Sequence, residues 1–196
     1  MKTVIRGGQL FDPHTMETRP NESLVIQDGA VVDSSNPADA DLEVDADGQY
    51  LMPGFIDAHV HFRLATLNFA RLANWTEVQF GIAMAKLAEE TLARGFTTVR
   101  DLGGDITGLR RAIATGMTKG PDMMQANLMI SQTGGHGDVE SGVLPVPDCA
   151  CQMRHSAFGV VADGPDAVRK AARHVLRAGA DFIKIHVSGG VATPMD

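Results

Sequence analysis

The chain has 196 residues, 44% of them hydrophobic, 5% aromatic and 21% charged, which provides apolar side chains for a core and excludes a disordered chain. A formal charge of -7, with lysines and arginines scattered, leaves no basic stripe for nucleic acid or an anionic membrane. Met1 to Gly8 has no apolar run of signal-peptide length and no window reaches the ~18 apolar residues of a membrane span, so a soluble, cytoplasmic protein is expected; a small-molecule substrate and a homo-oligomer are separate expectations.

Residues 1 to 52 read as short strands at Thr3 to Ile5, Ser23 to Gln27, Ala30 to Asp33, Leu42 to Asp45 and Gln49 to Leu51. Asp28-Gly29 between two apolar runs is a two-residue hairpin signal, because a type I′ turn needs positive φ at both central positions. Asp47-Gly48 repeats it more weakly. A unit this small buries little by itself and is expected to lean on another part of the protein. We read it as the N-terminal strands of a small β-sandwich, with a second region from Pro53 to Asp196.

The second region opens on Pro53-Gly54-Phe55-Ile56-Asp57-Ala58-His59-Val60-His61-Phe62, which reads as a buried strand. Alternation puts Asp57, His59 and His61 on one face and Ile56, Ala58 and Val60 on the other. Two imidazoles one pleat repeat apart, roughly 7 Å along the backbone, can turn their ring nitrogens onto one metal at about 2.0 to 2.1 Å. A lone histidine here would more often be a satisfied core residue. Two on one face, beside a carboxylate and after a Pro-Gly entry, point to ligation.

Strands and helices then alternate. Val78, Ile82, Ala85, Leu87, Ala88, Thr91 and Leu92 lie at helical spacing within residues 75 to 94, stopped by Gly95. Phe96 to Asp101 is a β-branched strand, and Asp105 is placed to cap a helix through Leu109, Ile113 and Ala114 that ends at Gly116. Met123 to Ser131 reads as a third strand, and residues 132 to 158 as a long Gly- and Pro-rich loop of the kind that is more often functional than filler. Cys149 and Cys151, with His155 nearby, lie in that loop. They are too close for a relaxed disulfide, so reduced thiols are expected, and a zinc site there would lack the Cys-x-x-Cys spacing. Asp163-Gly164-Pro165 starts a helix through Val168, Ala171, Ala172, Val175 and Leu176, and Asp181 to Val187 is the fourth strand.

Near-continuous apolar strands alternating with helices imply an α/β fold with a parallel sheet, open or closed into a barrel. Each strand ends in polar or Gly-rich residues, the position where (β/α)₈ barrels carry their chemistry. Lys184 is the oddest of these, because it sits between Ile183 and Ile185 and a buried ammonium is expensive. It is either paired with Asp57 or Asp101, or snorkelling to the strand end, or a lysine with a lowered pKa, or one modified into a metal ligand. His136, in a Gly-rich turn, is placed to hydrogen-bond a substrate carboxylate or carbonyl, the alternative being a surface histidine. His186 shares the Lys184 face, where it lines a pocket or merely packs. Arg100 is expected to pair with Asp57 or another interior carboxylate.

Four pieces taken together resemble the metal-dependent amidohydrolase superfamily: Pro53 to His61, Thr97-Thr98-Val99-Arg100-Asp101, Ser131-Gln132-Thr133-Gly134-Gly135-His136-Gly137, and Ala180 to Ile185 with Ser188-Gly189-Gly190. More narrowly, they are similar to its imidazolonepropionase-related and prolidase-like dipeptidase branch. The resemblance implies that His59 and His61 ligate the more buried of two divalent ions, zinc first among the candidates. It also implies that Lys184 is carboxylated and bridges both ions, and that a metal-held hydroxide cleaves an amide bond of a dipeptide or N-acyl amino acid. The candidate catalytic residues are then Lys184 and His136, the metal ligands His59, His61 and Lys184, and the substrate-binding residues His136 and His186.

A complete barrel of this type needs roughly 250 residues, and Pro53 to Asp196 covers about four βα units. The later histidines and aspartate that the superfamily uses have no counterpart here, so we expect the N-terminal half of a longer chain, inactive by itself. Two other readings compete: a one-metal, imidazolonepropionase-like cyclic amidase in which Lys184 stays an ordinary lysine, and a non-catalytic fragment.

Overall fold

The structure, a computed structural model, describes residues 1–32, 39–72, 74–138 and 158–189; Cys149, Cys151 and His155 lie outside the described residues. The chain divides into two compact units, Met1–Gly54 and Phe55–Asp196.

The first unit is one sheet built from β1 (Lys2–Asp12), β2 (Glu17–Gln27), β3 (Ala30–Val32), β4 (Leu42–Asp45) and β5 (Tyr50–Leu51). Its order is β3-β2-β1-β4, with β5 also on β1; β1 to β3 are antiparallel, whereas β4 and β5 run parallel to β1. Asp28 and Gly29 take φ of 51° and 83°, as a type I′ turn between β2 and β3 requires. The β1–β2 hairpin is longer than the sequence suggests, pairing from Lys2↔Gln27 to Asp12↔Glu17 with register shifts around Gly8. Its turn carries no glycine. Asp12 Oδ1 instead accepts the backbone N–H groups of His14 (2.9 Å) and Thr15 (3.4 Å), and these bonds hold the carboxylate below its ordinary pKa. Val4 and Val25 face the small core.

The second unit runs β6 (Phe55–Val60), α1 (Phe69–Leu72), α2 (Glu77–Ala93), β7 (Phe96–Asp101), α3 (Thr107–Ala114), β8 (Asp122–Gln125), β9 (Met129–Ser131), β10 (Gly159–Val161) and α4 (Gly164–Arg177). Strands β6-β7-β8 form one parallel sheet, and β9 and β10 a second parallel pair. Helix α2 starts on a capping box: Thr76 Oγ1 accepts from Gln79 N, and the Gln79 side chain accepts from Thr76 N. The main core packs α2 and α3 on this sheet through Phe62, Phe80, Met84, Ala88, Val99 and Ile106, and a smaller one gathers Ile130, Val160, Ala162 and Ala171.

Four expectations change. The stretch Met123 to Ser131 is two short strands in two sheets, because Asn127 turns to φ 58° and its carbonyl accepts from Gly104 N at 2.9 Å. The fourth strand reduces to a bridge at Ile185, where Ile130 N donates to Lys184 O and His186 N to Ile130 O, both at 2.9 Å. Among the described residues strand β6 is an edge rather than a buried strand, and Ile56 is 71% exposed. The N-cap position of α3 is Ile106 rather than Asp105, whose Oδ1 accepts from Thr107 N at 2.9 Å.

Candidate metal centre

His59 is carried by β6, and His61 stands one residue beyond its end. The Asp57 carboxylate, rather than joining the ring cluster, accepts from the His59 backbone N–H at 3.0 Å. The two imidazoles lie edge to face, with centroids 5.4 Å apart. Nδ1 of His61 is 3.5 Å from the Gly103 carbonyl. Burial lowers the His61 pKa, against the pull of Gly103, and the charges of His59, Lys184 and His136 lower it further. The ring is therefore neutral at pH 7, the form that ligates a metal.

The bridge at Ile185 carries Lys184 and His186 to the same place. One cleft of about 380 Å³ is lined by His59, His61, His136, Lys184 and His186, with Leu64, Met129 and Phe158 among its apolar walls. His136 and His186 make a second edge-to-face pair, with centroids 4.9 Å apart. The turn that presents His136 is wired to itself: Gly137 N donates to Ser131 Oγ (3.1 Å), Gly134 N to the Asp138 carboxylate (3.0 Å) and Gly135 N to Gln132 O (3.0 Å).

Two pairings differ from expectation. Lys184 makes no ion pair with Asp57 or Asp101 among the described residues, since both carboxylates are taken by backbone N–H groups. Among the described residues Arg100 meets no interior carboxylate; its Nε donates to Ala58 O at 3.0 Å and its guanidinium lies 5.2 Å from the Phe182 ring centroid. Two further charged residues are buried near the site in roles the sequence pattern did not assign them. Asp101, wholly buried, accepts from Phe62 N at 2.7 Å and Gly103 N at 2.9 Å; burial pushes its pKa up to about 7 while those donors pull it down. Arg63, 6% exposed, lies 4.4 Å from the Phe80 ring centroid and reaches Glu77 at 2.5 Å. A charged residue two positions after a His-x-His pair, and a carboxylate two positions before Gly-Gly, would be the signals to look for.

Among the described residues, no group of three or more His, Cys, Asp or Glu side chains is arranged to hold a metal ion. The donors present fit a divalent ion as a partial set: two imidazoles converge in one cleft, with a lysine beside them. As an ammonium, Lys184 has no lone pair to offer and repels a cation. As a carbamate it would add two oxygens of opposite charge, which with imidazole suits zinc and its neighbours.

Residues 50–196 match the amidohydrolase family. Ochratoxinase of Aspergillus niger is 31% identical over 212 residues, which cover 99% of this chain and 44% of that protein. The crystal structure of a prolidase complexed with N-methylphosphonate-L-proline superposes with a TM-score of 0.88 at 37% identity, covering 100% of this chain and 49% of the other. A Xaa-Pro dipeptidase with methionine bound in its active site gives 0.81 at 32% identity, over 97% and 48%. The chain thus spans about half the length of the relatives it matches, and its mixed α/β fold corresponds to the N-terminal portion of their barrels.

Proposed function

The chain belongs to the amidohydrolase family, and on that premise we propose that it forms part of a metal-dependent hydrolase cleaving the amide bond of a dipeptide or N-acyl amino acid. One observation carries this reading: a single cleft gathers His59 and His61 from the end of β6 and Lys184 from beside the Ile185 bridge, with His136 and His186 next to them. His59 and His61 would hold one divalent ion through neutral imidazoles, and Lys184, as a carbamate, would bridge it to a second. Such ions, when bound, lower the pKa of a water and polarise the scissile carbonyl.

The remaining work falls to the chain's own side chains. His136, on its hydrogen-bonded turn, is held where a ring N–H can donate to a substrate carbonyl or carboxylate, and His186 packs against it and limits its rotation. Leu64, Met129 and Phe158 line the cleft with apolar surface that excludes bulk water and strengthens each polar contact inside. The amide substrate class is supported by the names of the prolidase, the Xaa-Pro dipeptidase and ochratoxinase.

The test is metal content and turnover of the whole protein on Xaa-Pro dipeptides and N-acyl amino acids, with His59→Ala and Lys184→Met beside the parent. Two equivalents of metal, with turnover lost in both variants, are expected. One equivalent and full turnover in Lys184→Met would favour the one-metal cyclic amidase instead.

A further inference from the structure

We propose that Asp101 is a positioning residue for the metal-ligand turn. Its carboxylate ties the exits of β6 and β7 together, so that the Gly103 carbonyl meets Nδ1 of His61 and leaves Nε2 facing the cleft. The inference rests on the reading of His61 as a ligand and goes beyond it, assigning the group that sets the ring's orientation and tautomer.

The β6–β7 ladder ends at Val60↔Asp101, and one more backbone bond, Leu102 N to Val60 O at 2.9 Å, follows it. Beyond that point the Asp101 side chain replaces the ladder. Oδ2 accepts from Phe62 N at 2.7 Å on the β6 side, and Oδ1 accepts from Gly103 N at 2.9 Å on the β7 side. Both bonds are short, buried and charge-assisted when the carboxylate is ionised. Phe62 cannot drift, because its ring is buried with Phe80 and Val99. Met129 packs closely over Gly103, where a Cβ would stand 2.6 Å from the methionine side chain and push it aside. The peptide at 103 is therefore held from both sides, with its carbonyl oxygen 3.5 Å from His61 Nδ1.

A carbonyl only accepts, so a neutral His61 facing it carries its hydrogen on Nδ1, and the lone pair is on Nε2. Ligating histidines commonly gain their tautomer and aim in this way, and loss of the outer partner typically costs about 10- to 100-fold in metal affinity. A residue that merely filled space at position 101 would leave the tautomer of His61 untouched.

The experiment is nitrogen-15 NMR of the imidazoles at about pH 8 in the whole protein without metal, followed by zinc titration, for the parent, Asp101→Asn and His61→Ala. Asparagine replaces one acceptor oxygen with a donor NH₂ and so breaks one of the two ties. The parent is expected to show His61 with its hydrogen on Nδ1. Asp101→Asn is expected to show a mixture of tautomers and zinc affinity weakened about 10- to 100-fold. Hydrogen on Nε2 in the parent, or a folded Asp101→Asn with unchanged tautomer and zinc affinity, overturns the proposal. If Asp101→Asn does not fold, the parent decides: the Phe62 and Gly103 amide hydrogens must exchange slowly, and exchange at the rate of open-loop amides overturns the tie. Zinc affinity unchanged in His61→Ala removes the ligand role itself, a result told apart from failure of the tie, in which His61→Ala loses zinc but the parent tautomer is the wrong one.

Discussion

The two walls of the cleft carry their histidines on different supports. On one wall, His59 and His61 stand on a ladder paired from Phe55↔Phe96 to Val60↔Asp101, extended by the Asp101 carboxylate and flanked by Arg63 on Phe80. On the other, Lys184 and His186 are attached through two backbone bonds to Ile130. That wall is held from below by Asp181, which accepts from Gln125 N at 2.7 Å and pairs with Arg110 at 3.0 Å. The first wall gets its rigidity from bonds within a few ångströms of the rings. Among the described residues the second has no ladder around Lys184, so local opening is expected there at lower free energy. Such a wall can accommodate a change at the lysine amine, whereas the imidazole pair is set in place beforehand.

Three substitutions or titrations break or sharpen this contrast. The largest effect is expected from Phe62→Ala, which empties a fully buried position beneath His61 and should cost roughly 3 to 5 kcal/mol in unfolding free energy. Chemical denaturation measures it, and a loss under 1 kcal/mol would mean that the first wall does not depend on this core. Ile130→Ala should cost about 2 to 5 kcal/mol, and its signature is selective. Amide exchange at His186 should quicken while Val99 and Asp101 on β7 keep their protection; equal loss on both walls would show one cooperative unit. The smallest effect is the Arg63–Glu77 pair. The hydrogen bond from Arg63 holds Glu77 below its ordinary pKa, so its contribution is present above the unfolded value near 4.5 and is lost as pH falls through the lower folded value. Glu77 is 78% exposed, so the contribution is no more than about 1 kcal/mol. Glu77→Gln should flatten that part of the acid titration of stability, and an unchanged titration would show that the pair contributes nothing.

What could be read from the sequence divides along similar lines. Features set by neighbours in the chain were legible: the Asp28-Gly29 turn, and helix α2 inside residues 75 to 94 with Gly95 after it. The strand alternation that put His59 and His61 on one face has its counterpart in rings 5.4 Å apart. Features set by distant partners were not legible. The run from Met123 to Ser131 has no proline or glycine to break it, and the break at Asn127 depends on a bond from Gly104. Asp101 and Arg63 look like ordinary charged residues, because their partners are backbone amides and a ring from other elements. The long β1–β2 hairpin was missed because an aspartate side chain closes its turn where a glycine was sought.

The account depends most directly on His59, His61 and Lys184 sharing bound divalent ions. Anomalous diffraction at the zinc edge, from crystals of the whole protein grown with zinc, tests this in one measurement. The account predicts a peak about 2 Å from the ring nitrogens of His59 and His61, and a second peak joined to it by branched density on Lys184. A cleft without a peak, or peaks there beside a linear, unmodified Lys184 turned away from them, would contradict it.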